Sequence, residues 1–108
     1  MVIAYLLLAL AIAAEVTATV SMKLSEGFTK LWPSLVVVAG YLVAFAALAS
    51  VLKRGMPVGV AYAIWAAVGV AAVAIIGVLF LGEPVNLTIV AGLVLVIGGV
   101  VLIEVGAA

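Results

Sequence analysis

The sequence predicts an all-α membrane protein with four transmembrane helices per chain, and three observations lead there. Of the 108 residues, 71% are hydrophobic and 7% charged. Soluble domains carry about 25% charged residues, so this chain cannot cover a water-facing surface. The apolar residues fall into four runs, each close to the roughly 20 residues a helix needs to cross hydrocarbon. Every break between runs combines Gly and Pro with a charged residue. β-Barrel strands would read as about ten residues of alternating polarity, and these runs do not alternate. Four spans use up most of the length, so residues 1–108 are expected to form a single membrane domain embedded in the lipid bilayer, with short loops.

The first span covers about residues 2–22, carries Glu15, Thr17, Thr19 and Ser21, and ends at Lys23. Ala11-Ile12-Ala13 resembles a signal-peptide cleavage site. No Lys or Arg precedes the apolar stretch, however, and the run continues well past that site, so it reads as a span. Leu24 to Pro33 is the first loop, with Trp32 suited to the headgroup level and Pro33 to a helix start. The second span is about 34–52. Lys53-Arg54-Gly55-Met56-Pro57 forms a tight second loop, and the third span, about 58–81, contains Tyr62, Trp65, Gly69 and Gly77. Gly82 to Leu87 is the third turn, and the last span runs about 88–105. These limits come from run length and breakers, because a helix that is apolar all round has little periodicity.

Composition also excludes classes of function. Four basic residues balance four acidic ones, so nothing marks a nucleic-acid partner. Cys and His are absent, which removes disulfides, iron–sulfur clusters, zinc sites, thiol nucleophiles and imidazole acid–base chemistry. No metal, no cofactor and no enzymatic activity are expected.

Loop charges set orientation, because the side richer in Lys and Arg stays cytoplasmic. Lys23 and Lys30 flank the first loop, and Lys53 and Arg54 lie at the second, on the opposite side. Two against two gives no preference. Either hydrophobicity or flanking partners set the topology, or both orientations are inserted, which permits an antiparallel dimer of one polypeptide.

One acid stands out. Glu15 lies about 19 Å along the first helix from Val2, near mid-membrane, where a charge costs at least about 2.5–3.5 kcal/mol. Lys23 is about 12 Å further on and reaches the interface. A structural role is open to Glu15, as a protonated group bonded to Thr19 or to another helix. Intramembrane acids are functional by default, however. Removal from water favours the neutral carboxyl, so such a group can hold and release a proton, and once ionised it holds a cation. Competition of the two species for one group is exchange. Glu104 also interrupts an apolar run, but it is four residues from the end and reads as a headgroup-level residue.

Aromatics indicate the kind of cation. Tyr62 and Trp65 share a helix face at i, i+3, as Tyr41 and Phe45 do at i, i+4. Ring faces attract cations by about 2 kcal/mol or more where water is excluded, which suits an organic cation better than Na⁺ or K⁺, ions that need a shell of oxygen ligands. Packing alone is the alternative for these rings. Ala11, Ala18 and Thr19 lie on the Glu15 face, and their small size leaves room for a ligand or an approaching helix. Gly92, Gly98 and Gly99 form a small-residue seam on the last span, for contact within the chain or between protomers.

Two stretches resemble the small multidrug resistance family. One is Ala14-Glu15-Val16 continuing to Met22-Lys23-Leu24-Ser25-Glu26-Gly27-Phe28-Thr29-Lys30-Leu31-Trp32-Pro33-Ser34; the other is Pro57-Val58-Gly59-Val60-Ala61-Tyr62-Ala63-Ile64-Trp65. Length, span count and the Gly92/Gly99 seam agree. The resemblance implies a bacterial inner-membrane antiporter that works as an antiparallel, dual-topology homodimer. It implies that protons are exchanged for hydrophobic organic cations, with Glu15 of each protomer as shared proton and substrate site. It also implies that Tyr41, Tyr62 and Trp65 bind substrate and that Gly92 and Gly99 carry the dimer contact.

The resemblance is to the multidrug/proton antiporter branch. The guanidinium-exporting branch typically has Gly four residues before the Glu and Trp three after it, where this chain has Ala11 and Ala18. Departures from the multidrug pattern are Ala66 and Ala67 after Trp65, Ala44 in a place often held by Ser, Glu104 where an Asn is seen, and a second loop one residue longer. Guanidinium or polyamine export, or a role as half of a paired heterodimer, are the rival transport readings. A non-transporting, proteolipid-like subunit of a membrane assembly is the rival of another class.

Overall fold

Where the sequence is apolar the chain is helical. The computed structural model describes residues 2–107, as α1 (Val2–Leu24), α2 (Leu31–Lys53), α3 (Val58–Phe80) and α4 (Leu87–Ala107). Three helices have 23 residues and the last has 21. At 1.5 Å per residue each is about 32–35 Å long, enough to cross a hydrocarbon core of about 30 Å. All four are apolar enough to span a membrane, and large side chains such as Leu42, Leu79 and Leu95 are exposed, as a hydrocarbon solvent permits.

Several helices extend beyond the expected spans, because Gly and Pro mark turns less sharply than their positions suggest. α2 begins at Leu31, so Trp32 and Pro33, expected in the loop, are helical. Proline loses nothing there, because the first backbone N–H groups of a helix have no intrahelical acceptor. α1 continues to Leu24, while α4 starts at Leu87 and continues to Ala107. α3 stops at Phe80, one residue early. Its end is turned by Gly82 at φ +69°, the left-handed conformation that glycine adopts without steric penalty just past a helix.

The helices fall into two compact units, α1 with α2 up to Met56 and α3 with α4 from Pro57. In the first unit, Val37, Ala44, Ala47 and Val51 are buried on α2, and Gly40 completes a seam at alternating spacings of three and four. A β-carbon on residue 40 would lie 2.8 Å from that of Ala18 and 2.9 Å from the carbonyl oxygen of Ala14. Bare glycine therefore lets α2 rest directly on α1.

The connection between these helices is tied down by Ser25, which is fully buried. Its Oγ donates to the Met22 carbonyl at 2.7 Å and accepts the Phe28 N–H at 3.0 Å. The Ser25 carbonyl accepts the N–H groups of Thr29 and Lys30. These bonds hold Glu26, Gly27 and Phe28 successively at φ 49°, 75° and 65°, although such backbone costs a residue with a β-carbon about 1–2 kcal/mol.

In the second unit, the Gly77 carbonyl accepts the N–H groups of both Leu81 and Glu83. The Glu83 side chain folds back into the space a β-carbon on Gly77 would occupy. Asn86 Oδ1 accepts the Ile89 N–H at 2.9 Å, a side-chain cap for the start of α4. No residue of α4 is buried. A β-carbon at Gly92, Gly98 or Gly99 would meet nothing within 4 Å among the described residues, so the α4 glycine seam is open.

Gly40→Ala is expected to push α1 and α2 apart and destabilise the protein by about 1–3 kcal/mol, the usual cost of overfilling a packed contact. A lowered thermal unfolding midpoint in detergent, measured beside Gly59→Ala, which has open space around it, checks this.

Candidate functional site

Glu15 sits mid-way along α1, half-buried within the chain. The local sequence determines what reaches it. A helix places residue i+4 one turn above residue i, and Thr19 Oγ1 donates to Glu15 Oε1 at 2.7 Å. The same Oγ1 lies 2.8 Å from the hydroxyl of Tyr41 on α2. A threonine hydroxyl has one proton and two lone pairs. With that proton on the carboxylate, the Tyr41 O–H is the donor to Thr19, and the chain runs Tyr41 to Thr19 to Glu15.

Three other hydroxyls on the helices behave differently. Thr17 donates to the Ala13 carbonyl at 2.8 Å, Ser34 to that of Lys30 and Ser50 to that of Ala46. Each satisfies itself on its own backbone four residues back, the ordinary habit of Ser and Thr in apolar helices. Thr19 has turned instead to the carboxylate and to the neighbouring helix.

The Tyr41 ring stacks on Phe45, with centroids 6.2 Å apart and planes inclined by 22°. Phe45 is exposed within the chain, so an aromatic ledge extends along α2 from the hydrogen-bonded phenol. Ala11 and Ala18 are both fully buried, and Ala18 is the residue that meets Gly40. Tyr62 and Trp65 lie on α3 in the other unit, Tyr62 exposed and Trp65 half-buried. Gly92 and Gly99 are on the open seam of α4. Among the described residues, no three His, Cys, Asp or Glu side chains gather as metal ligands would.

The structure thus joins four of the residues singled out from the sequence, Glu15, Thr19, Tyr41 and Phe45, on two helices. Two features escaped the sequence reading, the importance of Gly40 and the bond that ties Tyr41 to Thr19. A signal for the first was present. Ala14 and Ala18, like Gly40 and Ala44, are pairs of small residues four apart, the spacing that lets helices in a membrane approach closely.

Comparison with known proteins bears on this arrangement. A family model described as Small Multidrug Resistance protein matches residues 3–96. The chain is 52% identical over 97 residues to the multidrug resistance protein mmr of Mycolicibacterium paratuberculosis, covering 90% of this chain and 91% of that one. It is 48% identical over 99 residues to the multidrug resistance protein EbrB of Bacillus subtilis, covering 92% and 84%. It is also 45% identical over 100 residues to a multidrug transporter of Pseudomonas aeruginosa, covering 93% and 90%.

Proposed function

This chain belongs to the small multidrug resistance family, and from that premise we propose that it is a proton-coupled antiporter exporting hydrophobic organic cations. The chain is a multidrug transporter of that family and not an enzyme, and it is a multi-pass protein of the bacterial inner membrane.

The observation that carries the finer reading is the Glu15 carboxylate, deep in α1, with hydroxyl donors arranged on one side and aromatic rings close by. A carboxylate in hydrocarbon needs either a proton or a counter-cation, because an isolated charge there is costly. One group that accepts either species, but not both together, makes their movements mutually dependent. A proton arriving on Glu15 releases the cation to the outside, and a cation arriving from the cytoplasm releases the proton. Ligand recognition follows from the surroundings. Tyr41 and Phe45 offer ring faces to a bulky delocalised cation, and Tyr62 and Trp65, on α3 in the other unit, carry rings of the same kind. Thr19 touches the carboxylate, while Ala11 and Ala18 are buried and Ala18 takes the contact with Gly40 of α2.

A second copy of the chain completes this reading. The open Gly92 and Gly99 seam of α4 suits close approach of a partner helix. The even division of Lys23 and Lys30 against Lys53 and Arg54 suits insertion in both orientations. Two identical chains in opposite orientations would exchange conformations to open alternately to each side, the logic of inverted repeats distributed over two polypeptides.

In proteoliposomes with an imposed pH gradient, the protein is expected to accumulate tetraphenylphosphonium, and Glu15→Gln to abolish that gradient-driven uptake. Undiminished uptake by the variant would contradict proton coupling through this residue. Trp65→Ala is expected to weaken uptake of aromatic cations by about tenfold or more, consistent with the loss of a desolvated ring–cation contact of about 2 kcal/mol, and to affect small tetraalkylammonium ions less. Competition assays with both cation types measure the difference; equal losses would count against a role for this ring in recognition.

A further inference from the structure

We infer that Thr19 is a positioning residue that couples the carboxylate of α1 to the aromatic ledge of α2, and that it acts on transported cations only through those two groups. The inference rests on Glu15 being the shared proton and cation site.

Three observations lead to it. First, the Thr19 hydroxyl is already bonded to both groups, with its one proton and one of its two lone pairs in use. Its only proton is directed to Glu15 Oε1 at 2.7 Å, and it accepts the Tyr41 O–H at 2.8 Å. It has no donor left for a ligand. Second, this use is not what the helix imposes. Thr17, Ser34 and Ser50 each return their proton to the backbone four residues earlier, and Thr19 has a carbonyl at that same spacing, that of Glu15. Third, Tyr41 is the only titratable residue of α2 away from its C-terminal Lys53. Its ring is held on one side by this phenol bond and on the other by Phe45.

The mechanical consequence is that the carboxylate and the ring pair do not move independently. A cation that draws the carboxylate out of reach of Thr19 frees the threonine proton, weakens the pull on the Tyr41 hydroxyl and releases the Tyr41–Phe45 ledge to close on the ligand. Departure of the cation restores the chain of bonds and draws the ring back. The size of the ledge opening is therefore linked to the charge partner of Glu15, although α1 and α2 share no ion pair at this point to do that work.

A double-mutant cycle in proteoliposomes tests this, with tetraphenylphosphonium and tetraethylammonium as the two probes and Glu15→Gln measured in parallel. Thr19→Val keeps the shape and removes the hydroxyl. It is expected to reduce kcat/KM about tenfold for tetraphenylphosphonium, the scale of a hydrogen bond to a charged group, and less for tetraethylammonium, which gains less from the ring pair. Thr19→Ser is expected to recover most of that loss. Tyr41→Phe alone is expected to reduce transport several-fold, yet to change it less than about twofold in the Thr19→Val background, since residues acting through one bond are not additive.

The inference is overturned if the Thr19→Val loss is greater for tetraethylammonium than for tetraphenylphosphonium, if Tyr41→Phe adds its full effect to Thr19→Val, or if Thr19→Ser is as impaired as Thr19→Val. Those results with Glu15→Gln inactive would remove the role of Thr19 and leave the exchange reading standing. Full uptake by Glu15→Gln would remove both. Should Thr19→Val fail to insert, Thr19→Ala serves in the same cycle.

Discussion

A carboxylate within the hydrocarbon must be provided for by its own protein, and the α1–α2 pair is organised around that constraint. Hydrocarbon does not solvate a carboxylate, and an unsatisfied buried charge costs several kcal/mol. Thr19 supplies one charge-assisted bond, worth about 1.5–3 kcal/mol, and Tyr41 supports it from the next helix. The phenol reaches only because α2 rests on α1, and α2 rests on α1 only because residue 40 carries no side chain. A packing feature thereby sets an electrostatic one. One methyl group at position 40 separates helices whose spacing places a hydroxyl 2.8 Å from its partner.

Thr19 engages one oxygen of the Glu15 carboxylate, and the proposed exchange requires that the group keep capacity for a second partner. A carboxylate fully enclosed by donors would bind neither proton nor cation with useful affinity. One left bare would remain protonated. Under the proposed mechanism, the hydroxyl chain occupies Oε1 and leaves the remaining capacity of the group for a proton or a transported cation, with the Tyr41–Phe45 ledge nearby. The buried Ser25 serves the same pair from its end. By holding three left-handed residues in the connection, it brings α2 back alongside α1 over the six residues from Ser25 to Lys30.

Much of this was legible in the sequence, because membrane crossing is a property of composition over about 20 residues. The four helices, the depth of Glu15 and the i, i+4 relation of Tyr41 to Phe45 all follow from local arithmetic. The helices run a few residues past the apolar runs at several ends. Pro33 fits within the first turn of α2, and Leu87 begins α4 directly after the Asn86 cap. The bond between Thr19 and Tyr41 joins positions 22 apart on different helices, so no local pattern reveals it. It depends on the rotation of both helices, which the Gly40 contact sets. The small size of Ala18 suits either a ligand or an approaching helix, and the structure sets it against Gly40. The glycines of α4 are alike in sequence to those that pack, yet they are open here.

The central proposal is that proton and cation compete for the one deep carboxylate, and proton release on cation binding tests it most directly. Tetraphenylphosphonium is added to the purified, detergent-solubilised protein in lightly buffered solution at mildly acidic pH, and the change in proton concentration is followed with an indicator dye. The account predicts protons released in step with cation binding by the wild-type protein, and none from Glu15→Gln. Cation binding by the wild-type protein without any proton release would contradict it, as would release that persists when Glu15 is replaced.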